Sequence, residues 1–534
     1  MLRLFSLNST SLEVTTGGAT VLLKVKRLYI EAGGKPIVLL NKEDADDIGV
    51  RALGRVKIVN AEGRELISVV NVTYKAVERG IIGAYDEVAS KLKLEDGSIV
   101  DVRLSEPPRS IYFIREKLKG KKLTYPEIYE IVRDVVDGRL TEVEISAFVT
   151  ALHTFGLDLD EATSLSKAMV EVGETLNLDD AFVVDKHSIG GVPGDKTSLI
   201  AVPTIAASGL VIPKTSSRAI TSAAGTADRA EVLMPVNLDL EEIKSVVKKT
   251  GGCLVWGGAL HLSPADDIFV QVEYPLAIDP LLLPSIMSKK KAVNAKILVI
   301  DIPTGRGTKV KTIGEANALA KDFIELGRRL GIQTSCAITY GEQPIGYAIG
   351  PALEAREALA TLMGSNKALD LINKAANIAG VLFQMAGIGD FNTAIELIKS
   401  GKSEKKLREI IEAQGGDPDI KPEDIPVGDK TYCVKAENDG MVLWIDNGRL
   451  IEVARAAGAP KDKGAGILLN KKISDHVEKG DVLFTIYAES SVKLQTAMEL
   501  VEERNFMGVG KSMDMLIQFI REVPVYGRRF ELER

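Results

Sequence analysis

The chain has 534 residues, 45% of them apolar and 26% charged, which is material for roughly three or four compact units and too much for one ordinary hydrophobic core. Its 48 Gly and 20 Pro are spread along the chain, which excludes a collagenous or broadly disordered composition. The formal charge of −7 excludes broad attraction to nucleic acid or to an anionic membrane surface and leaves room only for a local cationic pocket.

From Val21 to Leu104 short β-rich runs follow one another: VLLKVKRLYI, IVLLN, RVKIVN, LISVVNVTY and SIVDVRL. Period-two alternation broken by Gly and Asp predicts a small barrel or sandwich over 1–104, closed by Glu106-Pro107-Pro108. Apolar residues then recur at helical spacing in SIYFIREKL, YPEIYEIVRDVV, EISAFVTALHTF and EATSLSKAMVEVG, so 105–180 reads as a helical domain, joined by about 265–293. Thr124-Tyr-Pro-Glu127 has the form of a helix start, with Pro in the first turn and a capping-box Glu.

Over 181–430 buried β runs (CLVWGG, AKILVIDIP, TSCAITY) alternate with long amphipathic stretches such as IGEANALAKDFIELGRRLG, which predicts an α/β domain with a mixed or parallel sheet. The most apolar window, Thr197 to Pro213, is interrupted by Ser, Thr, Gly and Pro and reads as a buried helix with its loop, not a membrane span. A β-rich lobe is expected over 431–534, where YCVKAENDGMVLWID, GILLNKKISDHVEKGD and VLFTIYAE suit a sandwich. The fold class is thus multidomain α/β: a small β barrel, a helical lobe, a central α/β domain and a β-rich C-terminal lobe.

Cys253, Cys336 and Cys433 are odd in number and lack metal-ligand spacing, so they read as free thiols in a reducing compartment, which disfavours zinc. Met1 to Thr15 has one arginine and no apolar run of signal-peptide length, which makes the cytoplasm the expected location.

Chemistry concentrates in two stretches, Asp185-Lys-His-Ser-Ile-Gly-Gly-Val-Pro-Gly-Asp-Lys-Thr-Ser198 and Lys214-Thr-Ser-Ser-Arg-Ala-Ile-Thr-Ser-Ala-Ala-Gly-Thr226. Each is dense in small and hydroxyl residues and leads toward a helix. Glycines let backbone approach a ligand, exposed amides at a helix start attract anions, and hydroxyls donate without crowding. The competing reading is ordinary turns and caps, for which Ser, Thr and Gly are equally favoured. Lys186 beside His187 and Ser188 tips the balance toward an anion site. Neither stretch matches G-x-x-x-x-G-K-[ST] or G-x-G-x-x-G, which disfavours a triphosphate or dinucleotide fold.

The runs KHSIGGVPGDKTS, TSSRAITSAAGTADRAEV, SIMSKK, ITYGEQPIGYAIGPALEAREAL and AGAPKDKGAGI occur in that order between about residues 105 and 500. Together they resemble the thymidine/pyrimidine nucleoside phosphorylase family and, within it, the branch that acts on AMP, which also carries a leading β domain. The resemblance implies phosphorolysis of nucleoside 5′-monophosphates: AMP and phosphate give adenine and ribose 1,5-bisphosphate, with CMP and UMP as further candidate substrates. It implies that Lys186, Ser188, Ser198, Ser216 and Thr226 hold inorganic phosphate. Gly191, Ser217, Arg218, Ala219, Ile220, Thr221, Ser222, Thr226, Ser285 and Lys309 then hold the nucleotide, and Lys289 contacts the base. Asp279 corresponds to the proton donor to the departing base, with His187 as the rival acid because imidazole titrates near neutrality. No cofactor and no metal are implied beyond the phosphate co-substrate, nor any nucleic-acid or membrane partner. A homodimer or higher homo-oligomer is implied.

These roles suit the chemistry. Phosphorolysis passes through an oxocarbenium-like state, so a fixed phosphate lowers the entropic barrier and a general acid adds about 10²- to 10⁴-fold. An acid working near neutrality needs a raised pKa, through burial or a neighbouring negative charge. Without the resemblance, Asp279 before Pro280 would read as a simple Asx-Pro turn. Lys289 would read as a solvated helix-end lysine like Lys290 and Lys291. Two departures stand out. The Tyr and Arg with which pyrimidine enzymes grip the base are not in place in DDIFVQVEYPLAIDP, which favours a purine or a relaxed base choice. The link from Asp279 to Ser285 is about two residues shorter than in the AMP branch, a shift to be weighed against helix pitch. The alternatives are a pyrimidine or thymidine nucleoside phosphorylase, a non-catalytic nucleotide-binding regulator, and a phosphoribosyltransferase, for which no acidic Mg²⁺-binding pair is evident.

Overall fold

The computed structural model describes residues 20–179, 181–220, 222–502 and 505–511. Met1 to Thr15 and the candidate ligand Thr221 lie outside the described residues. The chain up to Gly173 together with Ser263–Ser288 forms one compact unit, and Glu174–Leu262 with the chain from Lys289 onward forms the other.

Within the first unit, barrel and helices keep separate hydrophobic cores. Of the barrel and the sandwich that alternation allows, the chain forms a closed barrel, with strand order Thr20–Arg27, Ile81–Ala84, Ile37–Asn41, Glu65–Thr73, Arg55–Val59, Ile99–Leu104. Closure comes from Thr20–Arg27, which pairs parallel with Ile81–Ala84 on one side and antiparallel with Ile99–Leu104 on the other. Alternate residues point inward, so Leu23, Leu40, Val56, Ile58, Val70 and Val102 are all fully buried. Ile81–Ala84 escapes a pattern search because it is four residues long and contains Gly83.

The helices begin where capping chemistry allows. Thr124 and Glu127 form a capping box ahead of Tyr125–Val136, Thr141 and Glu144 another ahead of Glu142–Phe155, and the Asp158 carboxylate accepts the Asp160 and Glu161 amides ahead of Leu159–Glu171. Their apolar faces enclose Ile131, Phe148, Leu165 and Met169, with Phe269 of the later helix Pro264–Leu276 packed 5.9 Å from Phe148, centroid to centroid.

The second unit has a parallel sheet at its centre. Ile297–Thr304 lies between Val184–Ser188 and Gln333–Tyr340, while Ile212–Ser216 pairs parallel with Gly252–Trp256. A parallel bridge between Val183 and Val211 joins the two sets. Antiparallel pairing enters at Ala348–Ile349, the edge of a four-stranded sheet that continues through Gly466–Leu469, Val482–Ala488 and Lys430–Lys435. A second C-terminal sheet contains His476–Val477, Gly440–Ile445 and Met507–Gly510. The lobe is not all β, because helices Asn447–Ala456 and Ser491–Glu502 contribute Val453 and Ala497 to the same core as Phe484 and Ile486. The apolar window forms the helix Thr197–Ala207, sealed inside the unit. Among the described residues no helix is long and apolar enough to cross a membrane.

Candidate active site

The strand Val184–Ser188 carries four polar residues in succession, and its neighbour Ile297–Thr304 is almost wholly apolar and buried. That neighbour fixes the register, with Lys186 opposite Val299 and Ser188 opposite Asp301. Past Ser188 the chain turns through Gly190 and Gly191 and enters the helix Thr197–Ala207, whose first turn buries Ser198. Gly191 has a φ of 95°, and a Cβ there would come 2.9 Å from the Lys309 amide nitrogen. Only glycine allows that approach, and it sets the candidate residues Gly191 and Lys309 side by side.

Lys186 is 3% exposed, and its ammonium makes no hydrogen bond or ion pair among the described residues. Burial pulls its pKa down, opposed by Asp195 and Asp301 nearby. A buried cation with its own pairing unfilled is a standing site for an anion.

Asp195 organises the loop. Its carboxylate accepts the Thr197 amide at 3.2 Å and lies 3.5 Å from the Ser188 hydroxyl, while Lys374 approaches at 3.0 Å. Burial would raise the Asp195 carboxyl, but Lys374 and Lys186 hold it well below the usual carboxylate range. Lys374 also pairs with Asp301 at 2.8 Å. A second buried pair, Lys290 with Asp185 at 2.6 Å, stands beside it. Lys290 is therefore no solvated helix-end lysine: it is 1% exposed, Lys289 next to it is half-buried, and only Lys291 of the three is exposed.

His187 sits among these cations. Burial, then Lys290, Lys214, Lys289 and Lys186, depress its pKa far below the ordinary imidazole value, so the ring is neutral near physiological pH. Lys214, 4% exposed, is likewise pushed down by burial and by Lys290.

The second loop leaves the strand Ile212–Ser216, where the Ser216 hydroxyl donates to the Val255 carbonyl at 3.1 Å. It folds back so tightly that a Cβ on Gly225 would meet Ser217, Arg218 and Ala219 backbone at 2.6 Å. Asp228 closes the fold by accepting the Ala219 and Gly225 amides at 2.7 and 2.9 Å. The Arg218 guanidinium is taken by Glu231 at 2.6 and 2.7 Å and lies over the Trp256 ring, 5.0 Å from its centroid. The hydrogen bond from Arg218, the largest cause, and the Lys463 ammonium hold the Glu231 carboxyl at about 2 against the opposing effect of burial. Ser217 and Ile220 are exposed, Ser222 donates to the Ala224 carbonyl at 3.2 Å, and Thr226 opens the short helix Thr226–Ala230.

Arg229 joins the two loops. Its guanidinium donates to the Asp195 carbonyl of the first and, at 2.7 Å, to the Ala224 carbonyl of the second, with Glu354 at 3.1 Å behind it. Glu354 is 1% exposed, and burial raises its pKa against the pull of Arg229. Lys186, Ser188, Gly191, Ser198, Ser216, Thr226, Lys289 and Lys309 thus all belong to the second unit. Asp279 and Ser285 belong to the first, Asp279 exposed in the turn before the helix Leu282–Ala292, where its carbonyl accepts the Leu282 amide at 3.4 Å.

Pattern reading passes over Lys196. Its ammonium is fully buried and donates to the carbonyls of Gly194, Ile345 and Ala348 at 2.9, 2.8 and 3.0 Å, with Glu357 at 2.6 Å. Lys196→Met is expected to cost about 3–5 kcal/mol, because it strands a carboxylate and three carbonyls. A thermal midpoint within a degree of the wild-type value would contradict this role.

The description "Glycosyl transferase family, helical bundle domain" matches residues 111–173, "Glycosyl transferase family, a/b domain" residues 180–403, and "Pyrimidine nucleoside phosphorylase C-terminal domain" residues 441–505. An AMP phosphorylase from Thermofilum pendens is 49% identical over 515 residues, covering 96% of this chain and 100% of its own. One from Pyrococcus furiosus is 51% identical over 483 residues, covering 89% and 95%. AMP phosphorylase 1 of Archaeoglobus fulgidus is 48% identical over 501 residues, covering 93% and 97%. Among solved structures, anthranilate phosphoribosyltransferase from Thermus thermophilus matches 56% of this chain and 98% of its own at 19% identity, with a TM-score of 0.48. With the anion-ready lysine and its two linked loops in place, near-50% identity across almost the whole length is decisive: the chain belongs to the AMP phosphorylase family.

Proposed function

We propose that the chain cleaves the bond between base and ribose in AMP with inorganic phosphate, releasing adenine and ribose 1,5-bisphosphate. The observation that carries this is the Lys186 ammonium, buried and without a partner among the described residues, on the strand that carries Ser188 and leads into a loop tied by Arg229 to a second hydroxyl-rich loop. A phosphate settled there supplies the negative charge that favours the Lys186 ammonium, with hydroxyl donors beside it.

In this reading Lys186, Ser188, Ser198, Ser216 and Thr226 hold the attacking phosphate. Gly191, Lys309 and the run Ser217 to Ser222 hold the nucleotide. Arg218 acts by bracing that run, since its guanidinium is committed to Glu231. A phosphate oxygen bonds to C1′ as the bond from C1′ to the base breaks. The freed electron pair goes to the departing nitrogen, which takes the proton of Asp279. His187, neutral among lysines, suits a hydrogen-bonding role better than that of a cationic acid. Ser285 and Lys289 are assigned to the nucleoside part in this scheme. The lysines supply the charge that phosphate needs, so the scheme calls for no metal ion. The pyrimidine-gripping Tyr and Arg are not in place, which favours AMP, and CMP and UMP are further candidate substrates only through a relaxed base choice.

A reducing, cytoplasmic setting accords with the three free cysteines, of which Cys253 and Cys336 have thiols pushed by burial to about 12.

The test is adenine release from AMP and from adenosine at equal concentrations with saturating phosphate. AMP is expected to be preferred by about 10²-fold or more in kcat/KM, because the 5′-phosphate contacts are lost with the nucleoside. Equal turnover of both points to a nucleoside phosphorylase, and binding of AMP without adenine release points to a regulator.

A further inference from the structure

Asp195, Asp301, Lys186 and Lys374 form a buried cluster of two carboxylates and two ammonium groups in the second unit. The two cations are used differently. Lys374 lies 3.0 Å from Asp195 and 2.8 Å from Asp301, so one ammonium serves both carboxylates. Lys186 has both carboxylates in its field and bonds to neither. Thr339 donates to the second oxygen of Asp301 at 2.6 Å, and the Thr197 amide to the second oxygen of Asp195 at 3.2 Å, so neither carboxylate is free to turn toward Lys186. Lys374 itself comes from the helix Leu369–Ala386, 179 residues beyond Asp195.

We propose that Lys374 is a positioning residue of the anion site: by ion-pairing with both Asp195 and Asp301 it balances their charge and leaves the Lys186 ammonium to an incoming phosphate. The proposal rests on the phosphorolysis reading. Without Lys374 the cluster holds two carboxylates and one lysine, and Lys186 becomes their counter-ion. A phosphate must then compete with two fixed negative charges for the cation it needs. Lys374 would govern phosphate affinity without touching phosphate.

The experiment titrates inorganic phosphate calorimetrically into the full chain and, beside it, measures KM for phosphate and for AMP. Lys374→Met is expected to weaken phosphate binding by about tenfold or more while KM for AMP changes less than about threefold. Lys374→Arg keeps the charge and is expected to keep most of the affinity. In the double variant Asp301→Asn with Lys374→Met phosphate competes with one fixed negative charge instead of two, and binding should recover by about threefold or more from the level of Lys374→Met. A purely structural role would raise both KM values together and would not be relieved by a second substitution. Unchanged phosphate binding in Lys374→Met, parallel rises in both KM values, or a double variant no better than the single one would each overturn the proposal. Should Lys374→Met not fold, Asp301→Asn alone decides: it leaves two ammonium groups facing one carboxylate, so phosphate must bind at least as tightly as in wild type, and weaker binding overturns the idea. A wild-type chain that binds phosphate but releases no adenine sinks the phosphorolysis reading, whereas the titrations still judge Lys374.

Discussion

Lys186→Met should lower kcat/KM for phosphorolysis of AMP by about 10³-fold or more and remove saturation by phosphate over the accessible range. The size follows from the setting. In water a lysine contributes little to holding phosphate, but here the ammonium is 3% exposed and none of the described residues has claimed it. Methionine keeps the volume and the buried stem, so the fold has little reason to change. Arginine should restore only part of the loss, because a planar fork does not fit a space shaped for a compact ammonium. Progress curves of adenine release against phosphate concentration check this, and a variant within tenfold of wild type would remove Lys186 from the site.

Asp279→Asn is expected to lower kcat by about 10²- to 10⁴-fold with KM for AMP and phosphate nearly unchanged. Asparagine retains the shape and the capacity to accept a hydrogen bond but cannot give up a proton to the base. The loss should shrink for substrates whose base leaves readily without protonation, and comparing AMP with a nucleotide of a more acidic leaving group measures that. Should Asp279→Asn be nearly inert while a His187 substitution is crippling, the acid has been assigned to the wrong residue.

Much of this architecture is written in local pattern. Alternation in VLLKVKR and RVKIV announces barrel strands because one face of each must be buried, and Thr124 with Glu127 marks a helix start by chemistry contained in four residues. The two loops are legible for a similar reason: glycine and hydroxyl density reflects what a backbone must do to approach an anion. What stays hidden depends on distant partners. Lys374 lies in an ordinary amphipathic helix, and nothing near it in sequence says that Asp195 and Asp301 lie at its tip. The SKKK run shows the limit from the other side. Neighbours on a helix point about 100° apart, so Lys290 is sealed against Asp185 while Lys291 meets solvent, and composition cannot choose between them. Arg218, placed among the nucleotide-binding residues by the resemblance, is held by Glu231, 13 residues on, a partner that nothing in the run itself announces.

The fastening of Lys196 sets an order of events during synthesis. Its carbonyl partners at Ile345 and Ala348 are made 149 and 152 residues later, and Glu357 later still. A nascent chain halted before them would display every residue of the glycine turn yet lack the anchor that shapes it. The turn therefore takes its final shape only once the chain has grown past Glu357, which makes its geometry a product of long-range packing and not of the glycines alone.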